Sequence, residues 1–162
     1  MKYIITEDQF EKVKNKILTV NFKLFNNDWD MLQQFLNRRG NPPYIIGDNI
    51  DLSFNQGITT LGNLISVEGD FTLEKTSVES LGNLTSVGGS FYLHKAKITS
   101  LDNLVSVGGN LNLRSSDIES LGNLSSVGRI LNLIDTPISE KYSELEIRNM
   151  VEVGGEIYIY KI

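Results

Sequence analysis

Apolar residues recur along this chain in a repeating pattern of about twenty positions. A seven-residue phrase starts with an aliphatic residue, has Asn at its third position and ends in Val. It occurs five times, beginning at Leu61, Leu81, Leu101, Leu121 and Ile147. The first four copies are spaced by twenty residues, and the fifth follows after an insertion of six. Because a unit this short cannot bury its own apolar face, the copies are predicted to stack as a solenoid with one continuous core.

Each unit also contains two apolar residues separated by one polar residue, which is the period of a β-strand. The pairs are Ile50/Leu52, Phe71/Leu73, Phe91/Leu93, Leu111/Leu113, Leu131/Leu133 and Ile157/Ile159. Six short strands are therefore predicted to form parallel rungs, giving a mainly β fold with glycine corners before the strands. The Asn of each phrase is predicted to form an internal ladder that bonds backbone groups. These residues are Asn63, Asn83, Asn103, Asn123 and Asn149.

Residues 1–47 do not repeat and are predicted to be an N-terminal helical cap over the first coil. Thr6 and Gln9 have the spacing of a capping box, and apolar residues follow with helical spacing at Phe10, Val13, Ile17 and Leu18. A second helix is predicted to begin at Asn27 or Asp28 and to end at Gly40, with Trp29, Leu32, Phe35 and Leu36 on one stripe. Residues 48–162 are predicted to be the solenoid of six rungs, with a helical insertion near residues 139–146.

Residues in the repeats resemble the leucine-rich repeat superfamily. Leu111, Leu113, Ser116 and Ile118 have the spacing of its Leu-x-Leu-x-x-Asn-x-Ile core, and Asn55 supplies the Asn in the first unit. Later units place Thr76, Ala96, Ser116 and Thr136 there. The phrase Ser-Val-Gly-Gly-x-Leu-x-Leu, followed by Ile-x-Ser-Leu-x-Asn-Leu, is most similar to the L-domain-like repeats of receptor ectodomains and fungal surface proteins. That resemblance implies a right-handed single-stranded β-helix and a binding role.

The opening residues Met-Lys-Tyr-Ile-Ile-Thr-Glu-Asp-Gln resemble the start of many small tailed-phage proteins. This similarity implies a phage-encoded accessory protein, one version of which blocks a host protein. The start lacks the unbroken apolar stretch of a secretory signal, and no apolar segment approaches membrane-spanning length. We therefore expect a cytoplasmic protein that does not bind a membrane. If the chain is phage-encoded, the compartment is the host cytoplasm.

Charge and composition exclude several classes of function. The chain has no Cys, so disulfides, zinc-thiolate sites and cysteine nucleophiles are excluded. Residues 1–47 carry seven Lys/Arg against five Asp/Glu, and residues 48–162 carry eight against fifteen. A solenoid at −7 argues against binding to nucleic acid, whose affinity depends on basic contacts to phosphates. No nucleotide-binding loop, zinc-protease helix or EF-hand loop occurs, so no cofactor and no metal are predicted.

Two sets of titratable residues allow a chemical reading. His94 is the single histidine and is either a general base or an ordinary residue of a strand face. Asp51, Asp70 and Glu74 lie on successive rungs and either bind a hard cation such as calcium or form a solvated acidic face. The simpler reading of both sets favours a protein that is not an enzyme.

Alternation places three columns of side chains outward from the rungs. The columns are Asn49, Asp70, Ser90, Asn110, Ile130 and Glu156; Asp51, Thr72, Tyr92, Asn112, Asn132 and Tyr158; and Ser53, Glu74, His94, Arg114, Ile134 and Tyr160. Aromatic, Arg and aliphatic residues on one face are typical of protein interfaces. The partner-binding residues are therefore predicted to be Tyr92, His94, Asn112, Arg114, Asn132, Ile130, Ile134, Tyr158 and Tyr160.

Three functions remain open from the sequence. The first is a protein-interaction module that displays this face to another protein. The second is a carbohydrate-binding or carbohydrate-active β-helix, in which carboxylates and tyrosines face a glycan. The third is a structural protein that forms a homodimer through its last strand, whose edge has no neighbour. The insertion is predicted either to cover Ile130 and Ile134 as a lid or to leave them as an exposed patch.

Overall fold

A computed structural model describes residues 17–160 and shows a parallel β-solenoid with coils of about twenty residues. The predicted mainly β solenoid is confirmed. Within this range, thirteen short strands form two sheets, in which every pair of neighbours is parallel. Each repeat coil contributes one strand to each sheet. Each strand pairs with the equivalent strands of the coils before and after it.

Sheet B contains the six predicted rungs, each only two residues long. Its strands are β3 (Ile50–Asp51), β5 (Phe71–Thr72), β7 (Phe91–Tyr92), β9 (Leu111–Asn112), β11 (Leu131–Asn132) and β13 (Ile157–Tyr158). The first residue of each strand is buried and the second is not. The alternation deduced from the pattern is therefore the alternation in the structure.

Sheet A has seven strands and was not predicted. Its strands are β1 (Leu18–Val20), β2 (Tyr44–Ile46), β4 (Leu64–Val67), β6 (Ser86–Val87), β8 (Ser106–Val107), β10 (Ser126–Val127) and β12 (Glu152–Val153). The end of each phrase supplies one strand to it, with the sequence Ser-Val in the first four copies and Glu-Val in the fifth. Sheet A also extends into residues 1–47, because β2 pairs with β4 and β1 pairs with β2.

The N-terminal end of the solenoid is covered by helix α1 (Trp29–Asn37), which confirms the second predicted helix. Asp28 caps it by accepting a hydrogen bond from the backbone N–H of Met31. Trp29, Leu32 and Leu36 are buried in the core. The predicted residues of the first helix up to Val13 lie outside the described residues, but Leu18 belongs to strand β1, so its assignment to a helix was wrong.

A 3-10 helix (Phe22–Phe25) joins β1 to α1 and closes the same end. Phe22 is buried against Trp29, with ring centroids 6.4 Å apart. The backbone N–H of Phe22 donates to Asp48 at 3.1 Å, directly before the first strand of sheet B. The segment before the repeats thus packs on the ends of both sheets.

The insertion forms two helices, α2 (Pro137–Lys141) and α3 (Glu144–Met150), each begun by a capping box. They lie beside the third wall of the coil, which is the segment between each sheet B strand and the next sheet A strand. There Ile138, Tyr142 and Met150 line a cavity of about 260 Å³ with Leu121 and Leu124. Helix α3 turns Val151 into the core, while Met150, which occupies a leucine position of the phrase, is exposed.

The predicted internal asparagine ladder is wrong. Asn83, Asn103, Asn123 and Asn149 are exposed, and only Asn63 is partly buried. The residue before the Asn has a left-handed backbone in four of the copies, and this turn places the amide outside the coil. Three of the amides still donate to the preceding coil: Asn63 to the carbonyl of Asn41 at 2.7 Å, Asn83 to the side chain of Asn63 at 3.2 Å and Asn103 to the carbonyl of Gly82 at 2.9 Å.

Buried hydroxyls take the positions where leucine-rich repeats have Asn. Thr76, Ser116 and Thr136 are buried, and each donates to the carbonyl three residues before it. Ala96 fills the same position without a polar group. Each buried hydroxyl is satisfied within its own coil, so this column holds no ladder between coils.

Tyr44 links the cap to the first coil. Its buried hydroxyl donates to the carbonyl of Leu61 at 2.8 Å and accepts from the side-chain amide of Gln33, on helix α1, at 3.1 Å. Burial raises the pKa of Tyr44 far above its ordinary value of 10.0, although the bond from Gln33 opposes this.

We expect Tyr44→Phe to lower the free energy of unfolding by about 1–2 kcal/mol at neutral pH, because the Leu61 carbonyl loses its buried donor. Above about pH 10 the unfolded chain releases the Tyr44 proton and the folded protein keeps it, so the contribution of this phenol to stability falls as the pH rises. The difference between wild type and variant should therefore shrink in urea unfolding measured above about pH 10. A constant difference would show that Tyr44 titrates alike in both states.

Candidate functional site

The outward side of sheet B, called the sheet B face below, carries all the predicted partner-binding residues. The inward residues of its first five strands are buried, whereas every residue of the three predicted columns is half-buried or exposed. The predicted residues therefore share one surface. Ile130 and Ile134 are half-buried there.

The first column of the sheet B face supports the backbone. Asn49 accepts a hydrogen bond from the backbone N–H of Asp70 at 2.9 Å, and Asp70 accepts from Ser90 at 2.6 Å. The side chain of Ser90 accepts from the backbone N–H of Asn110 at 3.1 Å, and the side chain of Asn110 accepts from the backbone N–H of Ile130 at 3.2 Å. Each side chain thus fixes the next coil, and the series ends at Ile130, whose side chain has no acceptor.

The middle column also fixes its own strand ends. The side-chain oxygens of Asn112 and Asn132 each accept from the backbone N–H two residues later, on Arg114 and Ile134, both at 3.1 Å. Asp51 makes the same turn in the first rung. The two asparagines keep their amide N–H groups available as donors on the surface.

The third column brings His94 and Arg114 together on adjacent rungs. The Nδ1 of His94 lies 2.9 Å from the backbone carbonyl of Arg114. Because a carbonyl only accepts, Nδ1 holds the proton and Nε2 is the nitrogen left for another group. The Nε atom of Arg114 is buried and has no hydrogen-bond acceptor within the described part of the chain.

Tyrosines occupy the end of the face nearest the C-terminus. The rings of Tyr158 and Tyr160 lie 6.3 Å apart, and Tyr160 is 63% exposed. A hydrogen bond to Glu156, together with its charge, raises the pKa of the Tyr158 hydroxyl. This end offers aromatic surface beside a carboxylate.

The opposite end of the face is acidic. The carboxylates of Asp51 and Asp70 are used to accept backbone N–H groups. Across residues 17–160, no group of three or more His, Asp or Glu residues is arranged to hold a metal ion. The structure therefore does not bring Asp51, Asp70 and Glu74 together as a cation site.

A long groove on the outer side of sheet A was missed by the sequence reasoning. It measures about 710 Å³ and follows one Ser and one Gly from each of several coils. The residues that line it include Ser66, Ser86, Ser106, Ser126, Gly88, Gly108 and Gly128. The Ser that precedes the inward Val in four of the five phrases was the available signal.

Backbone packing explains the glycines of that groove. A Cβ atom on Gly88, Gly108 or Gly128 would overlap the carbonyl oxygen of the equivalent residue in the preceding coil. These positions are needed for the close approach of successive coils. The groove follows from the stacking of the coils, and the sheet B face remains the surface with varied chemistry.

No helix in residues 17–160 has the length and apolar character needed to cross a membrane. Comparison with models of known protein families, with curated proteins and with solved structures gives no match.

Proposed function

We propose that this chain is a protein-interaction module that binds a protein partner through the sheet B face. The observation that supports this most strongly is the placement of Tyr92, Arg114 and Tyr158 on one outward surface, because Tyr and Arg dominate the energetics of protein interfaces. A phage-encoded accessory protein that blocks a host protein in the host cytoplasm is the version of this proposal that the N-terminal resemblance suggests.

The hydrogen bonds beneath the face support a role in rigid display. The first column ties each coil to the next, and the asparagine turns fix the strand ends. A surface held in this way loses little conformational entropy when it binds. Binding energy from the tyrosines and the arginine is then not spent on ordering the backbone.

Charge favours the sheet B face over the edge of the last strands as the binding surface. Among residues 17–160, strands β12 and β13 are the last strands of their sheets and have edges that could pair with a second copy. Glu152 and Glu156 stand at that end with Glu146 of the adjacent helix α3, whereas Glu144 is paired with Arg148 of the same helix. Across a two-fold axis these carboxylates would oppose their own copies, which disfavours a homodimer there.

We expect the triple variant Tyr92→Ala, Arg114→Ala and Tyr158→Ala to lose the partner. A protein retained by the wild type from a lysate of the native host is identified by mass spectrometry, purified and titrated by calorimetry. Truncation of interface anchors costs at least about 2 kcal/mol, so the dissociation constant should rise by at least about thirtyfold.

The control for this experiment is Glu79→Ala with Thr99→Ala and Glu119→Ala, on the third wall of the coil, where all three side chains are exposed. This variant should bind as the wild type does. Equal affinity of the wild type and the sheet B face variant would refute the proposed site. Binding of the wild type to glycans on an array, lost in the same variant, would instead support the carbohydrate alternative.

A further inference from the structure

Basic side chains collect at one border of the sheet B face, where the strands of its middle rungs end. The backbone N–H of Lys75 donates to the backbone carbonyl of His94 at 3.2 Å, and that of Lys95 donates to the backbone carbonyl of Arg114 at 3.1 Å. These residues therefore stack from coil to coil. Lys97 follows two residues after Lys95 and is exposed. Lys75, His94, Lys95, Lys97 and Arg114 are called the basic cluster below.

The basic cluster stands out against the charge of the solenoid. Residues 48–162 carry only eight Lys/Arg against fifteen Asp/Glu, and four of the eight lie in the cluster. The described residues contain a salt bridge between Arg148 and Glu144, but none that involves a cation of the basic cluster. The ammonium group of Lys75 lies over the ring of Phe54 at 4.7 Å.

We infer that the basic cluster binds an acidic segment of the protein partner. This inference rests on the proposed function. Carboxylates of that segment pair with Arg114 and Lys95, and the free Nε2 of His94 adds a further polar contact. A buried donor without an acceptor is costly, and the Nε of Arg114 is such a donor. A carboxylate that draws the guanidinium outward relieves this cost with a bidentate pair.

The surroundings of the cluster favour a short protein segment over a long polyanion. Rungs are about 4.8 Å apart, so a cluster over three coils spans roughly 10 Å. Alternate side chains of an extended segment are about 6.6 Å apart, which lets two or three carboxylates reach the cluster. Toward the N-terminal end, a continuous row of phosphates would meet Asp51, Asp70 and Glu74, which repel it.

The other side of the cluster indicates the rest of the segment. Ile134 follows Arg114 in the third column, and Tyr160 follows Ile134. Both offer apolar surface next to the cations. The segment should therefore carry aliphatic or aromatic residues beside its Asp and Glu residues, so that both parts of the face are covered.

The test is a selection from a library of random short peptides displayed on yeast, with purified full-length protein as the bait. Recovered peptides are expected to be enriched in Asp and Glu relative to the library. A labelled recovered peptide should bind the variant Lys95→Gln with Arg114→Gln at least about tenfold more weakly than the wild type, and its affinity should fall with added salt. Arg129→Gln removes a positive charge outside the cluster and should leave the affinity unchanged.

Each contrary outcome separates this inference from the proposed function. Recovered peptides without acidic enrichment, which still lose binding to Tyr92→Ala with Tyr158→Ala, overturn the inference and leave the proposed function standing. Recovery of no peptide that depends on any residue of the sheet B face overturns both. Heparin oligosaccharide or single-stranded DNA that binds more tightly than the recovered peptide, and is lost in the Lys95/Arg114 variant, overturns the inference in favour of a polyanion.

Discussion

Replacing Gly108 by alanine is expected to prevent the protein from folding. The new Cβ would overlap the carbonyl oxygen of Gly88 in the preceding coil and lie 3.1 Å from its carbonyl carbon. The backbone of both glycines is held by hydrogen bonds to the preceding coil. The N–H of Gly88 donates to the carbonyl of Val67, and the N–H of Gly108 donates to the carbonyl of Val87, both at 2.8 Å. Neither coil can move apart without breaking these bonds, so we expect a loss of more than about 3 kcal/mol.

Circular dichroism and urea unfolding measure this effect, with Gly57→Ala as the control. Gly57 lies in the first coil, and a Cβ there would meet only the side chain of Asn55, at 3.2 Å. The exposed Asn55 side chain accepts from the backbone N–H of Gly57 at 3.0 Å and can keep this bond after a small shift, so this variant should unfold within about 0.5 kcal/mol of the wild type. A Gly108→Ala protein with the wild-type urea midpoint would show that the coils are not as closely stacked as described.

The second large effect is expected from Phe91→Ala in the core. Phe91 is fully buried, and its ring stacks on that of Phe71 in the preceding coil with centroids 5.0 Å apart and planes within 7°. Removing the ring leaves a cavity between two coils that the hydrogen-bonded strands cannot close. We expect a loss of about 3–5 kcal/mol in the free energy of unfolding, measured by urea titration.

Phe91→Leu is the matched variant, because Leu111 and Leu131 fill the same column in the next two coils. It should lose less than half as much stability as Phe91→Ala, since most of the volume is kept. Tyr92→Ala, on the opposite side of the same strand, should cost within about 1 kcal/mol. Equal losses for the alanine and leucine variants would mean that the ring contact, and not the filled volume, holds these coils together.

The sequence was sufficient to predict sheet B because its period is simple. The pairs such as Phe91 and Leu93 alternate with polar residues, and this pattern has one structural meaning when it repeats every twenty positions. Sheet A escaped prediction because each of its repeat strands offers at most two alternating positions. In the Ser86–Val87 strand, the nearest apolar residue before Val87 is Leu84, three positions away, which is not the period of a strand. The strand is recognisable only from the backbone partners on neighbouring coils.

Left-handed backbone positions explain what the pattern could not show about polar residues. Asn83 lies between inward leucines in the sequence, which suggested an interior role. The positive φ of Gly82 turns the chain first, so the amide reaches the outside. Lys75 and Lys95 also have positive φ angles, of 53° and 57°, at the corner that follows each rung of sheet B.

That corner is the reason why the basic cluster was only partly anticipated. Alternation assigned His94 and Arg114 to an outward column, and the structure places them there. Alternation has no rule for a residue after the strand has ended, so Lys95 and Lys97 were left out of the candidate site. Their position depends on the stacking of one corner on the next, which only the three-dimensional arrangement of the coils gives.

Within residues 17–160, helix α1 covers the end of the stack that contains the first coil, whereas β12 and β13 have no further strand beside them at the other end. We expect this difference to let the coils fold in the order of their synthesis on the ribosome. The covered end emerges first, and each later coil then meets a finished edge whose donors and acceptors are already in place. Each newly synthesised coil would then pair with the strands of the coil before it. A partly synthesised chain would expose the strand edges of its last coil only.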